Sequence, residues 1–234
     1  MAHDVGAGKT YVMIAAAMEM RRMGLSEKNM FVVPNNIVGQ WKNIFYAMYP
    51  SANILCVEPK SFTPSKRESL LERIRDEDFD GIIIAYSCFE RIPLSKEYYR
   101  NQLVYEQEVI AEIAGKKNKA TSRLKKKQEA VSKALSELAV AMDDLYNGVY
   151  FDDLGITRLF VDEAHNFKNV PIETKADKVL GISASGSKKC KDMMNKVHMV
   201  QKKNDGAGVV LATGTPITCL LYTSPSPRDG LLSR

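Results

Sequence analysis

In the N-terminal part of the chain, short apolar runs alternate with amphipathic stretches, and each change of period predicts an element. Tyr11–Met23 carries Val12, Ile14, Ala15, Ala16, Met18 and Met20 with no breaker before Gly24, which predicts a helix stopped by a C-terminal glycine. Asn29–Val33 is a β-rich run closed by Pro34, a buried strand. Ile37–Tyr49 reads as a helix with Trp41 and Phe45 on one face, and Trp41 is read as core. Ala52–Val57 reads as a strand, Lys66–Asp76 as a charged helix and Gly81–Ala85 as a third buried strand. Strands separated by helices predict an α/β fold, a parallel sheet with helices on both faces.

The pattern breaks between Ser95 and about Asp144. Leu124, Val131, Leu135, Leu138, Met142 and Leu145 are spaced 7, 4, 3, 4 and 3, a heptad stripe, and Leu103, Ile110 and Ile113 precede it with a matching one. This predicts an inserted antiparallel helical hairpin over residues 96–149. Leu159-Phe160-Val161 and Gly208–Leu211 then resume the sheet. The α/β domain is thus expected in two parts, 1–95 and 150–218.

Composition narrows the class. With 45% hydrophobic and 26% charged residues the chain is globular. Its apolar runs are too short for a bilayer and no signal segment opens it, so a cytoplasmic protein with no membrane partner is expected. The four cysteines show no C-x-x-C spacing, which speaks for reduced thiols without disulfides or zinc. A net charge of +5 is weak evidence for a polyanionic partner.

Chemistry enters with His3-Asp4-Val5-Gly6-Ala7-Gly8-Lys9-Thr10. Gly6 and Gly8, flanking Ala7, let backbone N–H groups curl around phosphate oxygens, and the following helix points its positive end at the same anion. Lys9 can reach the β and γ phosphates of ATP, and Thr10 offers a hydroxyl to Mg²⁺. The full G-x-x-x-x-G-K-[ST] pattern fails at His3. Asp162 and Glu163 follow a strand, where open parallel sheets bind their ligands. Asp162 is expected to hold Mg²⁺, partly through water, and Glu163 to orient and deprotonate the attacking water. With Lys9 and His165 they form the expected catalytic set. Thr213, Gly214 and Thr215 end another strand as a coupling motif, whose hydroxyls could bond to His165 or to the acidic pair. A bare reading of that motif is a polar turn before Pro216.

In this order the three motifs resemble those of the superfamily-two helicases and translocases. Asp162-Glu163-Ala164-His165-Asn166-Phe167-Lys168-Asn169 looks like the D-E-[AG]-H-x-x-K-N of the Swi/Snf-related ATPases. Val32-Val33-Pro34 with Gln40-Trp41, Ile84-Ala85-Tyr86-Ser87 and Ala212–Ile217 match further elements of that group. Residues 3–10 and Ser187–Met193 resemble more narrowly the large helicases of phages, plasmids and conjugative elements, often fused to an adenine-methylase domain. The resemblance covers residues 3–94 and 150–218. It implies a RecA-like P-loop domain, the first of two, which binds ATP and Mg²⁺ and couples hydrolysis to movement along double-stranded DNA. A second domain would supply an arginine finger and half of the DNA track, so this fragment alone is expected to be nearly inactive. The chain departs from the group in lacking a strand to feed the phosphate loop, an adenine-contacting segment and the finger.

By the same resemblance, Pro34, Asn35, Asn36, Tyr86 and Ser87 would contact the DNA backbone, as would Lys168 and Asn169. Two basic clusters add candidates. Lys116, Lys117, Lys119, Arg123, Lys125, Lys126 and Lys127 sit at the expected hairpin tip, with no acid among residues 116–127. Lys188, Lys189, Lys191 and Lys196, with Lys202 and Lys203, surround a Ser-rich stretch read as a DNA-facing loop. Either cluster could instead be solvated. Residues 219–234 read as a translated sequencing adaptor and are set aside from fold reasoning. Alternative readings are a restriction-system motor, an RNA helicase and a catalytically silent nucleotide-binding remnant. The T-G-T-P form and Lys168-Asn169 speak against RNA.

Overall fold

The computed structural model describes residues 1, 6–116, 122–141, 148–167 and 187–214. Helix α1 (Lys9–Arg22) follows the glycine loop and ends before Gly24, which takes a φ of +70°. Strand β1 (Asn29–Val33), helix α2 (Val38–Met48), strand β2 (Ile54–Val57), helix α3 (Pro64–Asp76) and strand β3 (Gly81–Ala85) then alternate. A single helical turn, α4 (Tyr86–Phe89), continues directly from β3. Helices α5 (Lys96–Lys116) and α6 (Ser122–Ala141) follow, and after them β4 (Arg158–Val161), helix α7 (Lys188–Lys203) and β5 (Val209–Leu211).

The strands form one parallel sheet in the order β2-β3-β1-β4-β5. Every residue of β1 and β3 is buried, as strands covered on both faces must be. The expected α/β fold is therefore present. Phe31 of β1 stacks on Phe160 of β4 at 5.0 Å and lies 5.4 Å from Trp41 and 5.8 Å from Phe45. All four rings are at most 1% exposed. Each contributes roughly 1.5–3 kcal/mol by leaving water, so this cluster fixes α2 against the sheet. Among the described residues no strand precedes α1. Met1 lies along the outer side of β5, its ammonium donating to the Leu211 carbonyl at 2.8 Å and its carbonyl accepting from Thr213 N–H at 3.1 Å.

Two compact units divide the chain, and the sheet belongs to Met1–Ile92 with Leu154–Arg234. The second unit, Pro93–Asp153, contains α5 and α6, which pack against each other. Within their stripes Ile110 and Val131 are buried. Phe151 N–H donates to the Pro93 carbonyl at 2.8 Å and Ser95 N–H to Asp152 Oδ1 at 2.9 Å, so the unit begins and ends at one place.

The segment after Ser187 departs from expectation. It forms α7, a helix of 16 residues for which no element was expected, while the Ser-rich stretch read as a loop lies, up to residue 186, outside the described residues. Ser187 caps it by accepting from Cys190 N–H at 3.2 Å. Lys196, expected in a basic patch, is fully buried: its ammonium donates to the Phe89 carbonyl at 2.8 Å and to Asp192 at 2.6 Å, and sits 4.4 Å from the Phe89 ring centre. Burial outweighs this pairing, pushing the Lys196 ammonium down and the Asp192 carboxyl up from their ordinary values.

Candidate active site

Gly6 and Gly8 take φ values of +86° and +75°, and a Cβ on either would meet nothing within 4 Å. Backbone conformation, not crowding, is what requires glycine there. Gly8, the N-cap of α1, has no side chain with which to cap the helix, and the first turn carries no acid. The start of a helix carries partial positive charge, which suits an anion. Lys9 is 8% exposed in the first turn and Thr10 is half-buried, while Ala7 is exposed. His3, Asp4 and Val5 lie outside the described residues.

The acidic loop is built where β4 ends. Asp162 N–H donates to the Val32 carbonyl of β1 at 3.0 Å, and Ala164 N–H to the Ala212 carbonyl beyond β5 at 2.9 Å. The loop is thereby tied to both neighbouring strands. Asp162 is 6% exposed, and burial raises its carboxyl above the ordinary aspartate value. Hydrogen bonds and the Lys9 charge oppose that rise, which places the phosphate-loop cation within electrostatic reach of the acidic loop. Asp162 Oδ1 accepts from Glu163 N–H at 2.9 Å, and Oδ2 accepts from the Trp41 indole N–H at 3.3 Å.

Glu163 has a φ of +48°, a left-handed conformation that costs a non-glycine residue about 1–2 kcal/mol. The surroundings hold it there. The Tyr86 hydroxyl donates to the Asp162 carbonyl and, at 3.2 Å, to the Glu163 carbonyl, which also accepts from Asn166 Nδ2 at 3.0 Å. His165 Nδ1 lies 3.1 Å from Glu163 Oε2 and 3.2 Å from the Thr213 hydroxyl. The coupling motif therefore reaches the acidic pair through His165. Gly214 is half-buried beside Thr213, and Thr215 lies outside the described residues.

The expected DNA contacts separate into groups. Pro34, Asn35 and Asn36 follow β1, and Ser87 follows β3, its neighbour in the sheet. Asn35 and Asn36 are exposed, Pro34 and Ser87 are half-buried, and Ser87 N–H donates to Asn35 Oδ1 at 3.1 Å. Tyr86 differs: it is 8% exposed, and its hydroxyl serves the acidic loop. Lys188 is exposed, whereas Lys189 is turned onto neighbours. Its ammonium lies 3.4 Å from Glu90, and 5.2 Å and 4.6 Å from the ring centres of Tyr86 and Phe167, which pack edge-on at 5.0 Å. Lys168 and Asn169 lie outside the described residues. Sequence reasoning missed the Trp41–Asp162 bond and the Lys189 stack. Only the Gln40-Trp41 motif marked Trp41, and nothing local ties it to a partner 121 residues away.

The family described as Probable helicase domain matches residues 1–223. The chain belongs to that family. Its match extends into the segment that reads as adaptor, which lies outside the described residues. This helicase domain is 27% identical over 125 residues to ATP-dependent helicase fft1 of Schizosaccharomyces pombe, covering 53% of the chain and 13% of that protein. It is 22% identical over 152 residues to Defense against restriction protein B of Escherichia phage P1, covering 63% of the chain and 7% of that protein. The chain thus spans a small part of the curated relatives it matches. Among solved structures it is similar to a Sulfolobus solfataricus SWI2/SNF2 ATPase core in complex with dsDNA, at 15% identity and a TM-score of 0.44, over 92% of this chain and 27% of that one. Among the described residues, no helix is long and apolar enough to cross a membrane.

Proposed function

We propose that this helicase domain is the ATP-binding half of a Swi/Snf-related motor that couples ATP hydrolysis to movement along double-stranded DNA. The observation that carries the reading is an acidic loop whose Asp162, Glu163 and His165 are each held by named partners, with the charge of Lys9 in electrostatic reach of the buried Asp162 carboxylate. The donor set fits Mg·ATP: a helix start with glycine at its N-cap, a lysine, a threonine hydroxyl and a buried carboxylate. Mg²⁺, when bound, would neutralise charge on the β and γ phosphates, with Thr10 and Asp162 holding it.

Lys9 binds the same phosphates. Glu163 orients the attacking water and takes its proton. His165 relates Glu163 to Thr213, so that a change in nucleotide state at the acidic loop reaches the coupling motif. Pro34, Asn35, Asn36, Ser87 and Lys188 would touch DNA phosphates, with Lys168 and Asn169 also in that role by motif. The similarity to the phage P1 protein supports the narrower reading as a mobile-element helicase. A second RecA-like domain would complete the ATP site, so the chain alone should turn over ATP slowly; an arginine finger contributes about 10³–10⁵ in rate.

The test is steady-state hydrolysis and ATP binding by the longer protein, with and without duplex DNA. Duplex DNA should stimulate hydrolysis. Glu163→Gln should bind ATP yet lose at least about a hundredfold in turnover, the scale of a lost general base, and Lys9→Ala should lose binding. Normal hydrolysis by Glu163→Gln, or indifference to DNA, overturns the reading.

A further inference from the structure

Trp41 is the single tryptophan of the chain. A buried indole N–H usually finds a hydrogen-bond partner. Here the partner is the carboxylate that the proposed function assigns to Mg²⁺, at 3.3 Å. The indole cannot easily turn away. It is 1% exposed, packs at 5.4 Å on Phe31, and stands on α2, whose Val38 and Phe45 are buried beside it. The second carboxylate oxygen accepts from the backbone of Glu163 at 2.9 Å. Both oxygens of Asp162 are therefore restrained, one by the loop and one by the core. A carboxylate offers about four lone-pair sites, so these two bonds leave acceptor capacity for a cation and its water.

On the strength of the proposed ATP site, we infer that Trp41 is a positioning residue: its indole N–H orients the Asp162 carboxylate for Mg·nucleotide, and its side chain reports on occupancy of the site. Groups that orient a metal-holding carboxylate from behind typically set about 10–100-fold in metal affinity. A merely structural indole would set stability and leave the metal's contribution untouched.

The experiment uses the full chain labelled with ¹⁵N, whose single indole resonance belongs to Trp41. ADP is titrated without metal and then with Mg²⁺, in the wild type and in Trp41→Phe, which keeps an aromatic ring and removes the donor. The wild-type indole resonance should move when Mg²⁺ joins ADP. Trp41→Phe should bind metal-free ADP as the wild type does, but lose about tenfold or more of the tightening that Mg²⁺ gives. Full tightening in Trp41→Phe, or an indole resonance that stands still while Mg·ADP binds, overturns this inference alone. If Trp41→Phe does not fold, the wild-type resonance decides. A wild type that binds no nucleotide overturns the ATP reading, and this inference with it.

Discussion

At the scale of single residues, the acidic loop concentrates strain and its relief. Glu163 is held at positive φ, and Tyr86 braces the two carbonyls that fix that turn. Burial pushes the Tyr86 hydroxyl well above the ordinary tyrosine value, so it stays protonated and donating across the range of ordinary assays. Tyr86→Phe removes the donor while keeping the ring against Phe167. It takes this donor from the Asp162 carbonyl and leaves the Glu163 carbonyl to Asn166, and should cost about 1–2 kcal/mol of stability. In the longer protein, kcat should fall while KM for ATP changes little, because the brace acts on Glu163 and not on the phosphate loop. Thermal melts and steady-state kinetics check this, and a stable variant with wild-type kcat would refute the bracing role. The Thr213–His165 contact is one of the two that the sequence offered, since the hydroxyls of that motif could bond to His165 or to the acidic pair, and the structure shows the first. Tyr86 was legible only as a motif residue. Its burial depends on Phe167 and Lys189, which reach it from distant parts of the chain.

Elements were legible wherever their period was clean. Gly81–Ala85 is apolar throughout, Asn29–Val33 is apolar from Met30 onward and closed by Pro34, and both form strands with the expected limits. Helix α7 was hidden because a lysine occupies one of its core positions. Cys190, Met193 and Val200 are buried at helical spacing, yet Lys196 interrupts the stripe and made the segment read as a basic surface. The structure turns Lys196 inward against Asp192 and Phe89. Lys196→Ala would strand the half-buried Asp192 carboxylate and the Phe89 carbonyl, and should cost about 3 kcal/mol. Lys188→Ala and Lys191→Ala, exposed on the same helix, should stay within about 0.5 kcal/mol of wild type. Urea melts of the three variants separate these outcomes; equal stabilities would mean that Lys196 reaches water. The pH dependence has a definite sign. Lys196 binds its proton less tightly in the folded chain than in the unfolded one, so its cost shrinks as pH rises through the folded value towards the ordinary lysine range.

For the whole molecule, the consequential feature is that the second unit starts and finishes at one point. The Phe151–Pro93 and Ser95–Asp152 hydrogen bonds lie at its base, and the sheet's aromatic core draws only on the first unit. A loop closure so short carries little entropy cost. Replacing residues 96–148 by a short Gly-Ser linker should therefore leave the α/β unit folded, with a melting temperature within a few degrees of wild type and ADP affinity within about threefold. What should change is the electrostatics. The excised segment carries the run of Lys116, Lys117, Lys119, Arg123, Lys125, Lys126 and Lys127. If that run contacts DNA phosphates, duplex affinity at low salt falls, and the slope of log affinity against log salt drops by about 0.9 for each phosphate no longer neutralised. An unchanged slope would mark the run as a solvated tip and leave DNA to the loops after β1 and β3. Loss of the cooperative melt would instead show that the sheet unit depends on the insertion for its stability. The same variant thus separates a hairpin that handles DNA from one that supports the fold.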